Sequence, residues 1–314
     1  MASNLQNPIF TDETLAREWL EARVWPNGPV CPHCGNADQA KLKALQGKAH
    51  RAGLYQCAEC REQFTVTVKT VFERSKIPLS KWLAALFLLT ASKKGVSAHQ
   101  IHRSLGISYK SAWFMMHRLR EALRTGGLAP LGGNGKAVEA DETYIGRKEG
   151  MKGKWVGGAH KNMVVTLVER GGSARSFHIE SASVHSVVPI VRENISHESR
   201  LMTDKSNIYK AVGKDFAEHG TVDHGRDEYV RGDIYTNTVE GYYSIFKRGM
   251  KGVYQHCKEK HLHRYLAEYD FRYNHRVALG YNDRERAEIA AAGIVGKRLT
   301  YRRPRKAQLQ APSR

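Results

Sequence analysis

The segment AVEADETYI, residues 137–145, decides the fold because it has the alternating apolar pattern of a strand and leads to an acid, Asp141. Further elements follow in the order strand, strand, helix, strand, helix: Met163–Glu169, Ser176–Ile179, Val184–Asn194, Arg200–Thr203 and Ser206–Glu218. Strands and helices that alternate in this way predict an α/β fold, with a mixed β-sheet flanked by helices.

Two aspartates follow apolar strand segments, and a later helix carries a polar stripe. Asp141 follows Ala140 and Asp204 follows Thr203, so we expect both to project from strand ends, where a sheet is rigid. Glu240 lies on a helix predicted from Asn237 to Lys247. Asn237 is three residues before Glu240 and Lys247 seven after it, which puts all three on nearly one helical face.

These carboxylates suit phosphodiester cleavage, because two divalent ions ~3.5–4 Å apart activate the attacking oxygen and stabilise the leaving one. Hard cations such as Mg²⁺ take oxygen ligands, and a lysine nearby can hold phosphate. A lone acid is more often a surface ion-pair partner, but acids after two strands, together with one on the polar face of a helix, favour a metal site. We expect Glu139 and Glu142, which flank Asp141, to face the opposite side of the strand.

Four cysteines form two CxxC pairs, Cys31/Cys34 and Cys57/Cys60. Four thiolates satisfy tetrahedral zinc completely, so this pattern predicts a structural Zn²⁺ site in a zinc ribbon with no open catalytic position. Cys257 is unpaired and receives no assignment.

A helix-turn-helix is predicted between the cysteines and the sheet. Helices over Leu79–Ala91 and Ser97–Leu105 precede a glycine, and a third begins at the N-cap residue Ser108. We expect Lys110, His117, Arg118 and Arg120 to give this third helix a cationic face. A separate group of basic and aromatic residues either grips substrate strands or forms a solvated hairpin: Arg147, Lys148, Lys152, Lys154 and Trp155.

The charge balance predicts a polyanionic partner. Lys plus Arg number 50 against 31 Asp plus Glu, a formal net charge of +19, and cations near phosphates gain affinity by releasing counterions. The longest apolar run, Trp82–Leu89, is far shorter than the ~20 residues of a membrane span. We expect a cytoplasmic protein without a membrane partner or nucleotide cofactor.

Several stretches carry a family resemblance: VEADETYIG at 138–146, TDKS at 203–206, NTVEG at 237–241, KRG at 247–249 and FRYN at 271–274. Together with the paired cysteines they resemble the DDE-type insertion-sequence transposases that begin with a zinc ribbon. The resemblance implies a bacterial, nucleoid-associated enzyme with an RNase H-like catalytic domain and Mg²⁺ (or Mn²⁺). It also implies binding to terminal inverted repeats and transfer of a freed 3′-hydroxyl to target DNA.

Within this family the third acidic position varies, and some members use asparagine there. Asn237 and Glu240 therefore both stay candidates, and we favour Glu240. Because two transposon ends must be held together, we expect a homodimer or higher oligomer on double-stranded DNA.

The predicted domains follow from these motifs: a helical lead-in at 1–30, a zinc ribbon at 31–70, a helix-turn-helix domain at 78–125, a glycine-rich linker at 126–135, the catalytic domain at 136–290 and a basic tail at 291–314. A domesticated DNA-binding regulator with an inactive nuclease scaffold is the alternative function. A tyrosine recombinase is a third reading, prompted by His261, His263, Arg264 and Tyr265, which share one predicted helix.

Overall fold

The computed structural model describes residues 6–151, 158 and 160–300. Its α-helices are α1 Glu13–Val24, α2 Leu79–Ala91, α3 Ala98–Leu105, α4 Tyr109–Ala122, α5 Val184–Asn194, α6 Asn207–Lys210, α7 Asn237–Gly249, α8 Leu262–Asn274 and α9 Asp283–Ala292. Its strands are β1 Leu42–Ala44, β2 Tyr55–Cys57, β3 Gln63–Phe64, β4 Ala137–Ile145, β5 Asn162–Glu169, β6 Ala174–Ile179, β7 Arg200–Asp204, β8 Glu218–Val222, β9 Val230–Arg231 and β10 Ile234–Tyr235. Lys152, Lys154 and Trp155 of the predicted basic loop lie outside the described residues, as do residues 301–314 of the predicted tail.

A small antiparallel sheet in the order β1-β2-β3 carries the cysteines. Cys57 is the last residue of β2 and pairs with Leu42 of β1. Cys31, Leu42, Cys57 and Phe64 form its own small core, so this sheet folds around the sulfur atoms rather than around a large apolar interior.

Helices from both ends of the chain share one core. Trp82 and Leu86 of α2, Met116 of α4 and Ala291 of α9 are all buried in it. α9 packs against α2 and α1, so this helix shares the core of the N-terminal helices.

The cationic face predicted for α4 is wrong for three of its four residues. His117, Arg118 and Arg120 are 1%, 6% and 3% exposed, and only Lys110 at the start of the helix is exposed. Arg118 donates to the Glu73 carbonyl. Arg120 donates to the carboxylate of Glu268 on α8, which packs on α4. A sequence pattern indicates which side of a helix is polar. It does not show that a buried acid on another element will pair with a basic residue on that side.

The central sheet has the strand order β6-β5-β4-β7-β8. β6, β5 and β4 are mutually antiparallel, whereas β7 runs parallel to both β4 and β8. α5 and α6 pack on one face, and α7 and α8 on the other. This three-layer mixed sheet is the RNase H-like arrangement, and the α/β prediction is confirmed.

The helix predicted over residues 206–218 is wrong. α6 ends at Lys210, and the chain continues into the edge strand β8, which the sequence pattern does not predict. Gly213 lies between them, where a Cβ would overlap the His219 ring. β8, with the sequence EHGTV, has too few apolar residues to show the period of a strand.

Among the helices that the structure describes, none is both long and apolar enough to cross a membrane.

Candidate active site

Asp141 and Asp204 lie on neighbouring parallel strands. The register pairs Ala137 with Arg200 and continues to Glu139 beside Met202, and Asp141 and Asp204 each lie two residues further along their strands. Asp204 is the last residue of β7, as expected, but β4 continues to Ile145. Asp141 therefore projects from the middle of β4, at the point where its parallel neighbour ends, rather than from a strand end.

Helix α7 carries the other three predicted site residues. Asn237 is its first residue and is exposed, and Glu240 lies in the first turn with 45% of its side chain exposed. Lys247 is half-buried in the last turn, with its Nζ 5.8 Å from the centre of the Tyr243 ring. All three side chains are at least partly exposed.

The site concentrates negative charge. Burial raises the pKa of Asp141 to about 6, and the charges of Asp204 and Glu240 act in the same direction. Burial also lowers the pKa of Lys247, against the attraction of Asp141. Asp204 and Glu240 therefore act on the charge of Asp141, and Asp141 acts on that of Lys247.

The three carboxylates do not converge as tightly as the cysteines do. Within the described part of the chain, the group whose ligand atoms all lie within 4.8 Å of one another is the cysteine quartet. The carboxylates supply the oxygen donors that a hard cation prefers, and they gather three negative charges around one strand end.

The expected orientation of Glu139 is wrong. Residues two apart on a strand share a face, so Glu139 lies on the same side as Asp141, and its carboxylate contacts the first turn of α7. Glu142 faces the other side, where burial raises its pKa to about 7, with Asp141 and then Asp204 adding to the shift.

Three further residues adjoin the site and were missed from sequence. The Tyr243 hydroxyl donates to the Asp141 carbonyl at 2.6 Å and holds α7 against β4. His224 Nε2 lies 3.6 Å from Glu240 Oε1 and 3.2 Å from the Thr236 hydroxyl. Neither His224 nor Thr236 belongs to a periodic pattern, so only tertiary structure brings them to Glu240.

The four cysteines meet as the spacing predicts. The Cys31 and Cys60 sulfurs are 3.6 Å apart, and those of Cys34 and Cys57 are 3.8 Å apart. Four sulfurs arranged tetrahedrally at about 2.3 Å from one zinc ion lie about 3.8 Å from each other, so the quartet fits Zn²⁺. The pKa of Cys57 is lowered to about 6, mainly by a hydrogen bond from the backbone N–H of Cys60, and a hydrogen bond from the Asn36 amide contributes.

Both CxxC turns end in the left-handed backbone conformation. Gly35 follows the first pair with φ +80°, and Arg61 follows the second with φ +62°. The Gly35 N–H donates to the Cys31 carbonyl and the Arg61 N–H to the Cys57 carbonyl, so the two turns are built alike.

Fold and site together define a class: a protein with a four-cysteine zinc-ribbon module, a helical module and an RNase H-like domain with aspartates on adjacent strands. Comparison with known families agrees. Residues 11–63 match the transposase zinc-ribbon domain, and residues 130–274 match the ISXO2-like transposase domain. The chain belongs to the insertion-sequence transposases that begin with a zinc ribbon, and the prediction of a DDE-type transposase is confirmed.

A relative from Halobacterium salinarum, an uncharacterized protein in transposable element ISH50, is 28% identical over 255 residues, which cover 76% of this chain and 83% of the relative. Among solved structures, the chain is similar to one chain of a simian T-cell lymphotropic virus intasome in complex with PP2A regulatory subunit B56 gamma. The match covers 54% of this chain and 63% of that chain, with 11% identity and a TM-score of 0.28. A pre-cleavage Mos1 transpososome matches 67% of this chain and 78% of its own, with 12% identity and a TM-score of 0.24. At these scores neither structure supports an argument about this chain.

Proposed function

We propose that this transposase cuts DNA at the ends of its element and joins the freed end to target DNA, with Asp141, Asp204 and Glu240 as the catalytic carboxylates. The observation that carries the proposal is the parallel pairing of β4 with β7, because Asp141 and Asp204 each lie two residues beyond the last paired residues, Glu139 and Met202. The charge of Glu240, acting on Asp141 from α7, adds the third member.

The reaction has two displacements at phosphorus. Water attacks the phosphodiester at the element's end, the P–O3′ bond breaks, and the departing 3′ oxygen takes a proton. That 3′-hydroxyl then attacks a target phosphodiester, forming one P–O bond as another breaks, and the displaced 3′ oxygen is protonated in turn. Neither step forms a covalent bond to the protein.

The residues divide this work by their chemistry. Asp141, Asp204 and Glu240 would hold Mg²⁺ or Mn²⁺, which supplies positive charge to the reacting oxygens. Lys247, on the same helix and within the field of Asp141, holds a non-bridging phosphate oxygen. Asn237, one turn before Glu240, is the competing third ligand.

The zinc ribbon and the helix-turn-helix bind the inverted repeats. Because the second half of α4 is buried, we place the DNA contact on its exposed first turn and on α3, at His99, Gln100, Arg103, Tyr109 and Lys110. The net charge of +19 favours this partner, and pairing of two ends requires at least a dimer.

The test is cleavage by the purified full chain of labelled DNA that carries the ends of its element. With Mg²⁺ or Mn²⁺, nicks are expected at the element's boundary, and EDTA should prevent them. A mobility shift without nicks in either metal would instead establish the DNA-binding regulator. In the same assay Glu240→Gln should abolish nicking while Asn237→Ala retains it; the reverse would make Asn237 the third ligand.

A further inference from the structure

Helix α7 begins without a cap of its own. Its N-cap residue, Thr236, makes no side-chain bond to the backbone of the first turn. The Thr236 hydroxyl instead lies 3.4 Å from Glu240 Oε1, to which it donates, and 3.2 Å from His224 Nε2. The N–H groups that begin a helix need acceptors from elsewhere when the N-cap residue supplies none.

Glu139 of β4 provides them. Its Oε2 accepts from the N–H groups of Thr238 and Val239, at 2.8 and 3.0 Å, and its Oε1 accepts from the Thr238 hydroxyl at 2.8 Å. The side chain is completely buried. A carboxylate at this end of a helix also meets the positive end of the helix dipole, so charge and hydrogen bonding act together.

Arg170 completes the arrangement. Its Nε donates to Glu139 Oε1 at 2.6 Å, and its two terminal nitrogens donate to the carbonyls of Asp233 and Tyr235, at 2.7 and 2.8 Å. The same guanidinium lies 3.5 Å from the centre of the Tyr235 ring. The pair therefore ties β4, the β9–β10 hairpin and α7 to one point.

We propose that Glu139, held by Arg170, is a positioning residue that sets the place of Glu240 relative to Asp141. Glu139 precedes Asp141 by two residues on the same strand, and its carboxylate binds the N–H of Val239, the residue before Glu240. The path from Asp141 to Glu240 therefore runs along two residues of β4, through the Glu139 carboxylate and on to the residue before Glu240. This inference rests on the proposed function, because it gives Glu240 a metal-binding role.

A purely structural cap is the competing explanation. Loss of a helix cap costs about 0.5–2 kcal/mol of stability and need not change a metal site. Residues that orient metal ligands instead change metal affinity about 10–100-fold when replaced. Metal affinity measured on folded protein therefore separates the two roles.

The experiment is a Mn²⁺ titration of the full chain, followed by electron paramagnetic resonance. Glu139→Gln should weaken Mn²⁺ binding about 10-fold or more while zinc content and affinity for end DNA are unchanged. Glu169→Gln is the matched control, because the Glu169 carboxylate also joins a cation, Lys136, and a backbone N–H, that of Gly132, and these hydrogen bonds do not involve α7. It should bind Mn²⁺ like the wild type.

A double-mutant cycle shows whether Glu139 acts through Glu240. If it does, Glu139→Gln adds no further loss in a Glu240→Gln background. Additive losses, or wild-type Mn²⁺ affinity in folded Glu139→Gln, would overturn the inference.

If Glu139→Gln does not fold, Arg170→Lys is measured instead. This variant keeps the positive charge but loses the several N–H donors of the guanidinium, so Mn²⁺ binding should weaken several-fold. Unchanged Mn²⁺ affinity would overturn the inference. If the wild-type protein cleaves end DNA and Glu139→Gln binds Mn²⁺ normally, only this inference is wrong. If the wild-type protein neither cleaves end DNA nor binds Mn²⁺, the proposed function is wrong as well.

Discussion

Glu268→Gln removes a negative charge from the buried cluster that joins α4 to α8. The Glu268 side chain is completely buried, and its Oε2 accepts from Arg120 Nε at 2.5 Å. Arg272 and the Tyr254 hydroxyl both contact Oε1. Because the side chains of Arg120 and Arg272 are 3% and 8% exposed, glutamine would leave two buried guanidinium groups without a counter-charge.

The expected cost is large. Removing one partner of a buried ion pair costs about 3–5 kcal/mol. At the roughly 2–4 °C per kcal/mol that is typical of proteins of about 150–250 residues, the thermal midpoint should fall by on the order of 10 °C. Glutamine nearly preserves volume, so this loss comes from charge and hydrogen bonding rather than from a cavity.

The pH dependence gives a second check on the same variant. Burial alone would raise the pKa of Glu268, but the guanidinium groups of Arg272 and then Arg120 hold it below its ordinary value. A depressed pKa means that the stabilisation is present above the unfolded-state value of about 4.3 and is lost as pH falls through the folded pKa. The difference between wild type and Glu268→Gln should therefore shrink in acid.

The assay is thermal unfolding followed by circular dichroism at several pH values, and the control is Glu218→Gln. Glu218 binds Arg200 in a comparable two-point geometry, but 45% of its side chain is exposed. Exposed pairs contribute about 1 kcal/mol or less, so the control should melt within a few degrees of wild type. Equal midpoints for the two variants would refute the reasoning from burial.

Three further predictions concern the zinc module and the core. Cys57→Ser should release zinc, measured by atomic absorption, and weaken DNA binding; stoichiometric zinc in the purified variant would contradict the assignment. Arg61→Gly should stabilise the module by about 0.5–1 kcal/mol, because glycine adopts φ +62° without steric cost. Slower zinc loss to a chelator would show this, and faster loss would count against it. Burial raises the pKa of Asp270 to about 6, above its unfolded value of about 3.9. The folded protein therefore holds one more proton than the unfolded protein between roughly pH 4 and 6, and the wild type loses stability as pH rises through that window. Asp270→Asn should flatten this part of the profile of thermal midpoint against pH, and an unchanged slope would refute the assignment.

Strongly periodic segments were predictable from sequence. α2, β4 and α5 have the predicted bounds, because each has an apolar face of the right period and clear ends. β8 and α9 were not predicted. β8 is a short edge strand with a glycine, and α9 has little beyond alanine to mark its buried side.

The candidate site was predictable only where local pattern carries the information. The strand segments before Asp141 and Asp204, and the helical spacing around Glu240, pointed to these residues. The role of Glu139 was not visible, because its partners on α7 are about a hundred residues away. The burial of Arg120 depends on Glu268, 148 residues further along the chain, for the same reason.

Cleavage by Asp204→Ala tests the central claim most directly. Asp204 ends β7, and within the described residues its side chain accepts a local bond from the Ser206 N–H, so its loss should leave the fold and the DNA-binding modules intact. Single-turnover cleavage of labelled end DNA in Mg²⁺ should become undetectable while affinity for the same DNA stays within about twofold of wild type. Cleavage at the wild-type rate would contradict the assignment of these carboxylates.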